Sequence, residues 1–172
     1  HKPQLRVLDK GDIEQAVEWF AAAAARAQQA GFDGVELHAA HGYLLAGFLS
    51  PYYNRREDEY GGPLENRARL LVETLQAVRR RVGPDFTVWV RLDGEELRTK
   101  GGITPADAIA TARLAVQAGA QAVSVSAYAT LDEGVAFTEA PLVHEPSGLV
   151  RYAAAVRQAI DVPVIAAGRI EP

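Results

Sequence analysis

Cysteine is absent from all 172 residues. That rules out disulfides, thiolate metal ligands and cysteine-held iron–sulfur clusters within this segment. Methionine is absent too, even at position 1. The apolar run at Ala21–Ala25 is far too short to cross a bilayer, which takes about 20 apolar residues, and no signal-peptide pattern opens the chain. An excess of positive charge is also missing. Lys and Arg number 18 against 22 Asp and Glu, for a net charge of −4, and no basic patch of the kind used on nucleic acid is visible. These absences lead to the expectation of a cytoplasmic protein with no nucleic-acid or membrane partner. What remains is ordinary for a globular domain: 48% of residues are hydrophobic and 23% charged, too apolar for disorder. One domain over residues 1–172 is expected. The start at His1-Lys2-Pro3 and the stop at Glu171-Pro172, just after an apolar strand, read as an internal piece of a longer product.

The pattern along the chain alternates. Ile13, Val17, Phe20 and Ala24 recur at helical spacing, with Asp12 expected as N-cap and Gly31 as the stop. A strand is predicted over 34–39. Leu64, Ala68, Leu71, Leu75, Val78 and Val82 make one apolar helical stripe, and a strand follows over 86–92. Thr104-Pro105-Ala106-Asp107 is a strong helix start, with Thr104 as cap, Pro at the first position and an acid in the first turn. Strands over 122–126 and 162–167 bracket a helix over 150–160. Helix then strand, four times, argues for a parallel α/β sheet. Ala30–Val35 and Ala118–Val123 repeat one helix-stop, turn and strand-start pattern 88 residues apart. Repeated turns of one design fit a (β/α)8 barrel better than a doubly wound sheet, and no Gly-x-Gly-x-x-Gly follows any strand. A complete barrel needs about 250 residues, so four strands are a partial TIM barrel with unpaired edges.

Alternation within strands sorts the side chains. Val35, Leu37, Val88, Val90, Leu92, Val123 and Val125 should face the helices. Glu36, His38, Trp89, Arg91, Asp93, Ser124 and Ser126 should face the barrel centre. His38, Arg91 and Ser126 then meet near the C-terminal mouth, where active sites of this fold lie. His38 and His41 can converge on one ligand oxygen, and Tyr43 can present a phenolic proton beside them. Taken singly, a histidine at a strand end is more often structural and a tyrosine more often core, and Glu36, His38 and His41 are readable as a metal-dependent lyase or hydrolase site that lacks a further ligand. Arg91 needs an anion, either Glu36 or Asp93 or an anionic ligand. Gly168-Arg169 after the last strand is readable as a phosphate contact or as an ordinary strand exit. Asn54–Gly62 reads from its composition as a solvated charged loop.

The stretch Gly31-Phe32-Asp33-Gly34-Val35-Glu36-Leu37-His38-Ala39-Ala40-His41-Gly42-Tyr43-Leu44 resembles the signature of bacterial old yellow enzymes. Phe48-Leu49-Ser50-Pro51, Asn54-Arg55-Arg56, Asp58–Gly62, Glu65-Asn66-Arg67, Val90-Arg91-Leu92 and Gly101–Thr104 continue the likeness across the chain. The resemblance implies about strands four to seven of a (β/α)8 barrel carrying FMN at its mouth, truncated at both ends. It implies reduction of FMN by NADH or NADPH, then of an activated C=C bond in a small-molecule alkene. It implies that His38 and His41 bind the substrate oxygen, that Tyr43 donates the proton, and that Arg91, His38, Gly168 and Arg169 contact the cofactor. A piece lacking the other strands is expected to be inactive alone. Dienoyl-CoA reductases and amine dehydrogenases belong to the same wider family, and a homo-oligomeric parent is compatible with it. Asp93 departs from the small polar residue usual after the Val-Arg-Leu segment, and a second anion there would weaken the hold of Arg91 on an anionic flavin. The resemblance does not assign the Tyr128–Ala140 loop.

Overall fold

The computed structural model describes residues 6–97, 99–129 and 147–170. The elements are α1 (Lys10–Gln29), β1 (Gly34–Ala39), α2 (Leu44–Leu49), α3 (Leu64–Arg67), α4 (Arg69–Val82), β2 (Thr87–Leu97), α5 (Pro105–Gln117), β3 (Val123–Ala129), α6 (Val150–Arg157) and β4 (Val164–Ala166). The four strands form one sheet in the order β1-β2-β3-β4, and every pair is parallel. Sequential, parallel and helix-linked strands are the repeat unit of a (β/α)8 barrel.

Local chemistry explains most boundaries. Thr104 caps α5 as expected and shares a reciprocal capping box with Asp107. At α1 the cap is Asp9, not Asp12. The Asp9 carboxylate accepts the Asp12 N–H at 2.9 Å and Asp12 accepts the Asp9 N–H at 2.8 Å. Asp12 is therefore the inner arm of the box, and the helix starts earlier than its apolar pattern suggests. The two repeated turns have the same geometry. Ala30 and Ala118 end their helices at φ/ψ near −79/0° and −80/−2°, and Gly31 and Gly119 follow at φ 85° and 105°. Phe32 N–H then returns to Ala27 O and Ala120 N–H to Ala115 O, closing each helix in the Schellman manner.

Three expectations need correction. The stripe from Leu64 to Val82 is split at Ala68 into α3 and α4. Arg67 turns inward at the split and donates to Leu49 O at 2.8 Å and Gly62 O at 2.7 Å. β2 runs to Leu97 rather than to residue 92, through an irregularity in its pairing with β3 between Asp93 and Glu96. Acids and glycine are poor strand formers, but here each is held from outside. Asp93 and Glu96 accept buried hydrogen bonds, and a Cβ on Gly94 would lie 2.5 Å from Cβ of Tyr152. The Asn54–Gly62 segment is a built loop rather than a solvated one. The Asn54 amide donates to Phe48 O and Tyr60 O, both at 2.7 Å, Arg56 pairs with Asp58 at 2.5 Å, and Tyr60 is buried. Helix α2, within the long β1–α4 connection, has no counterpart in the sequence pattern.

The core lies between the sheet and its helices. Leu37, Val88, Val90, Leu92, Val123 and Val125 pack there against Ile13, Leu71, Leu75, Val78 and Val156. Gly34 starts β1 hard against β2, since an added Cβ would meet Thr87 O at 2.5 Å. Gly34→Ala should therefore cost about 1–3 kcal/mol through overpacking. Gly47→Ala in α2, where nothing lies within 4 Å, should be neutral or stabilising by up to about 1 kcal/mol. Urea unfolding of the two variants checks both signs.

Candidate active site

The mouth of the sheet is built from the C-terminal ends of β1, β2 and β3. His38 sits opposite Arg91 in the β1–β2 register, and Asp93 sits opposite Ser126 in the β2–β3 register. His38 is half-buried on the centre face. The chain then turns sharply through His41 at φ 62° and Gly42 at φ 71°. The left-handed region is uncommon for a residue with a side chain and costs about 1–3 kcal/mol, which the surroundings must offset. Tyr43 follows as the N-cap of α2, makes no side-chain capping bond and is 61% exposed. The turn gathers three rings. The His38 and His41 ring centroids are 4.9 Å apart, edge to face, and His38 and Tyr43 are 5.3 Å apart. An open groove of about 490 Å³ runs from Tyr43 along Leu44, Phe48 and Tyr53 to Arg55.

His41 is held on two sides. Its backbone N–H donates to Asp93 Oδ2 at 2.7 Å, and its Nε2 lies 2.8 Å from Ser126 Oγ. Ser126 therefore does not line the open mouth as the strand pattern suggests. It is fully buried under His41. Glu36 does not join the histidines either. One of its oxygens accepts from Trp89 Nε1 at 2.6 Å and the other lies 2.9 Å from Arg91 Nε. Arg91 is half-buried rather than buried, and Glu36 is a protein anion beside it. Among the described residues no group of three His, Cys, Asp or Glu side chains could hold a metal ion, so the lyase or hydrolase arrangement of Glu36, His38 and His41 does not form.

Electrostatics keep the imidazoles neutral. Burial, with His38 and Arg91 adding to it, pushes His41 down to about 4, and burial with Arg91 lowers His38. Burial pushes the Asp93 carboxyl up to about 8, with Glu96 reinforcing the shift and the His41 N–H and Arg91 opposing it. Burial thus disfavours the second negative charge beside Arg91 that the sequence position of Asp93 suggests.

Gly168 and Arg169 stand at the opposite edge of the sheet, after β4. Both have positive φ, 108° and 36°, and Arg169 O accepts from the Ser147 N–H at 2.8 Å. Beyond the backbone of Tyr128 and Ala129, the Tyr128–Ala140 loop lies outside the described residues.

The sequence profile of the NADH:flavin oxidoreductase / NADH oxidase family matches residues 1–172. The chain belongs to that family. Membership carries FMN and NADH or NADPH as its cofactors. Among the most similar relatives, the NADPH dehydrogenase of Clostridium acetobutylicum is 39% identical over 95% of this chain and 46% of its own length. The cinnamate reductase of Clostridium sporogenes is 36% identical over 96% of this chain and 27% of its own length. A solved 2-naphthoyl-CoA reductase superposes with a TM-score of 0.87 at 33% identity, over 97% of this chain and 25% of that one. The chain thus spans about a quarter to a half of the length of these relatives, and its sheet is part of a TIM barrel of this flavin family. The donor types present are ones a flavin and its phosphate accept from: the guanidinium of Arg91, the half-buried imidazole of His38 and the guanidinium of Arg169.

Of the residues singled out by sequence, the structure brings His38, His41, Tyr43 and Arg91 to one end of β1 and β2. The buried partners Asp93 and Ser126 were legible only as strand positions. The left-handed turn at His41 had no sequence signal beyond the following Gly42.

The His41 ring should titrate near pH 4, well below the ordinary value of 6.5. Between those two values the unfolded chain binds more protons than the folded one. Its contribution to stability is therefore complete above about pH 6.5 and is lost as pH falls through about 4. A ¹⁵N-resolved histidine titration, assigned with His41→Asn, checks this. A midpoint near 6.5 would show the ring to be solvated and unrestrained.

Proposed function

We propose that this chain carries the substrate-binding part of an FMN-dependent NAD(P)H oxidoreductase that reduces electron-poor C=C bonds. The observation that supports it most is the cluster of two neutral imidazoles beside an exposed phenol, at the strand end that also presents Arg91. Bound FMN, once reduced by NADH or NADPH, would be the source of the hydride that adds to the alkene β-carbon. His38 and His41 each donate a ring N–H to the oxygen conjugated with the alkene and stabilise the negative charge that develops there. Neutral rings suit this role, because they donate without surrendering a proton. The Tyr43 hydroxyl delivers the proton to the α-carbon, completing addition of one hydride and one proton across the double bond. The Arg91 guanidinium would hold the electron-rich edge of a bound flavin ring with the His38 ring packed beside it, and Gly168 and Arg169 would contact the cofactor at the far edge of the sheet. Glu36 and Trp89 keep the Arg91 guanidinium in place.

The oxygen can belong to a ketone, a carboxylate or a thioester. The likeness to a 2-naphthoyl-CoA reductase favours a reading in which the substrate is an acyl thioester, its bulk lying along the groove beside Tyr43.

Anaerobic stopped-flow measurements on the flavin-loaded full-length parent protein test the assignment. Tyr43→Phe should slow reoxidation by an enone by about 10²–10⁴, the usual worth of a general acid, while reduction by NAD(P)H stays unchanged. Equal losses in both half-reactions would sink the role of Tyr43. The 172-residue chain alone should hold FMN weakly, because it spans at most about half of its relatives and binding depends on preorganised contacts. Measuring flavin retained after gel filtration checks this. A stoichiometric yellow product would overturn it.

A further inference from the structure

We infer that Asp93 is a positioning residue, holding the turn at His41 in the backbone conformation that delivers its imidazole to the mouth of the sheet. The inference rests on the proposed role of His41 as a donor to the substrate oxygen. His41 stands at φ 62°, a conformation that a side-chain-bearing residue keeps only when its surroundings impose it. The local chain imposes little. Gly42 is left-handed as well, and the turn's own Tyr43 N–H to Ala40 O bond is long at 3.4 Å. The tie that spans the fold is the buried bond from His41 N–H to Asp93 Oδ2, 2.7 Å long and 52 residues apart in sequence.

The second oxygen points the same way. Asp93 Oδ1 is buried with no hydrogen-bond partner among the described residues, and it lies 4.0 Å from His41 Nε2. Only Oδ2 of Asp93 bonds His41, through its backbone N–H, while Oδ1 lies beside the ring without a hydrogen bond among the described residues. Ser126, opposite Asp93 in the ladder, meets the ring at 2.8 Å. One rung of the β2–β3 pairing thus fixes the backbone and the imidazole of His41 together. Reach explains the acid. A serine hydroxyl at position 93 would end one bond closer to the strand, whereas the carboxyl spans the gap from β2 to the turn. Burial raises the carboxyl's pKa and so disfavours a charge under the site.

The test compares Asp93→Ala and Asp93→Asn with the unsubstituted protein. Amide hydrogen exchange is read residue by residue in the 172-residue chain, and enone turnover is read in flavin-loaded protein. Asp93→Ala should speed exchange at the His41 amide roughly tenfold or more, the size of one lost buried hydrogen bond. Exchange at Val90 and Val125 in the core strands should stay unchanged. Asp93→Asn keeps an acceptor of the same shape, so it should restore His41 protection and the KM for the enone. Protected His41 in a folded Asp93→Ala variant overturns the positioning role, as does a folded Asp93→Asn variant that loses protection. If Asp93→Ala does not fold, the Asn variant alone decides. Released His41 with unchanged enone kinetics would uphold the positioning role and overturn instead the reading of His41 as the oxygen donor.

Discussion

The parallel register of β1, β2 and β3 is the constraint on which the site depends. Because side chains alternate across a pleated strand, pairing His38 with Arg91 and Asp93 with Ser126 decides which groups meet at the mouth and which lie beneath it. A slip of one residue between β1 and β2 would send His38 into the helices and Leu37 into the site. The slip is prevented from the other face. Leu37, Val88, Val90 and Leu92 are almost wholly buried against the helices, and Gly34 allows β1 to approach Thr87 where a Cβ would collide. The apolar layer thus holds the polar layer in register, at no cost in chemical choice on the centre face.

Burial does a second thing to that polar layer, which is to strip it of charge. Arg91 and Glu36 form a half-buried pair, while burial drives His38, His41 and Asp93 toward their neutral forms. Uncharged donors suit an oxygen whose negative charge appears only during reaction. Neutral imidazoles stabilise that developing charge by hydrogen bonding while leaving the proton to be delivered by another group. The same desolvation would cost more if any of these groups lacked partners. The Asp93 to His41 and Ser126 to His41 contacts are how that cost is contained.

The sequence carried the periodic parts of this picture and missed the parts held by distant partners. Each strand core and each long helix was legible, because alternation and helical stripes are local. So were the two repeated turns, since Gly31 and Gly119 mark positive φ directly. The end of β2 was not legible. Asp93, Gly94 and Glu96 argue against a strand until Ser50, Ile103 and the turn at His41 supply their bonds. The cap of α1 was misplaced by three residues for a related reason, because either aspartate of a reciprocal box can pass for the cap. Strand-end positions and a family resemblance pointed to His38, His41, Tyr43 and Arg91, which the structure brings to one end of β1 and β2. Nothing local distinguished His41, whose backbone strain appears only in three dimensions.

The charged loop shows how far the site's support extends. Helix α2 has only six residues, from Leu44 to Leu49, and a helix this short has little stability of its own. Its last carbonyls would be unsatisfied, but Asn54 takes Phe48 O and Arg67 takes Leu49 O. Ser50, just beyond the helix, is tied to the buried Glu96 on β2. Arg67 in turn pairs with Asp107, which also completes the cap of α5. Because Tyr43 is the N-cap of α2, every one of these bonds helps to place the phenol. The run of charges from Arg55 to Glu59 looks solvated by composition. Its neighbours Asn54, Tyr60 and Arg67 make it the clamp that lets six residues of helix aim one hydroxyl.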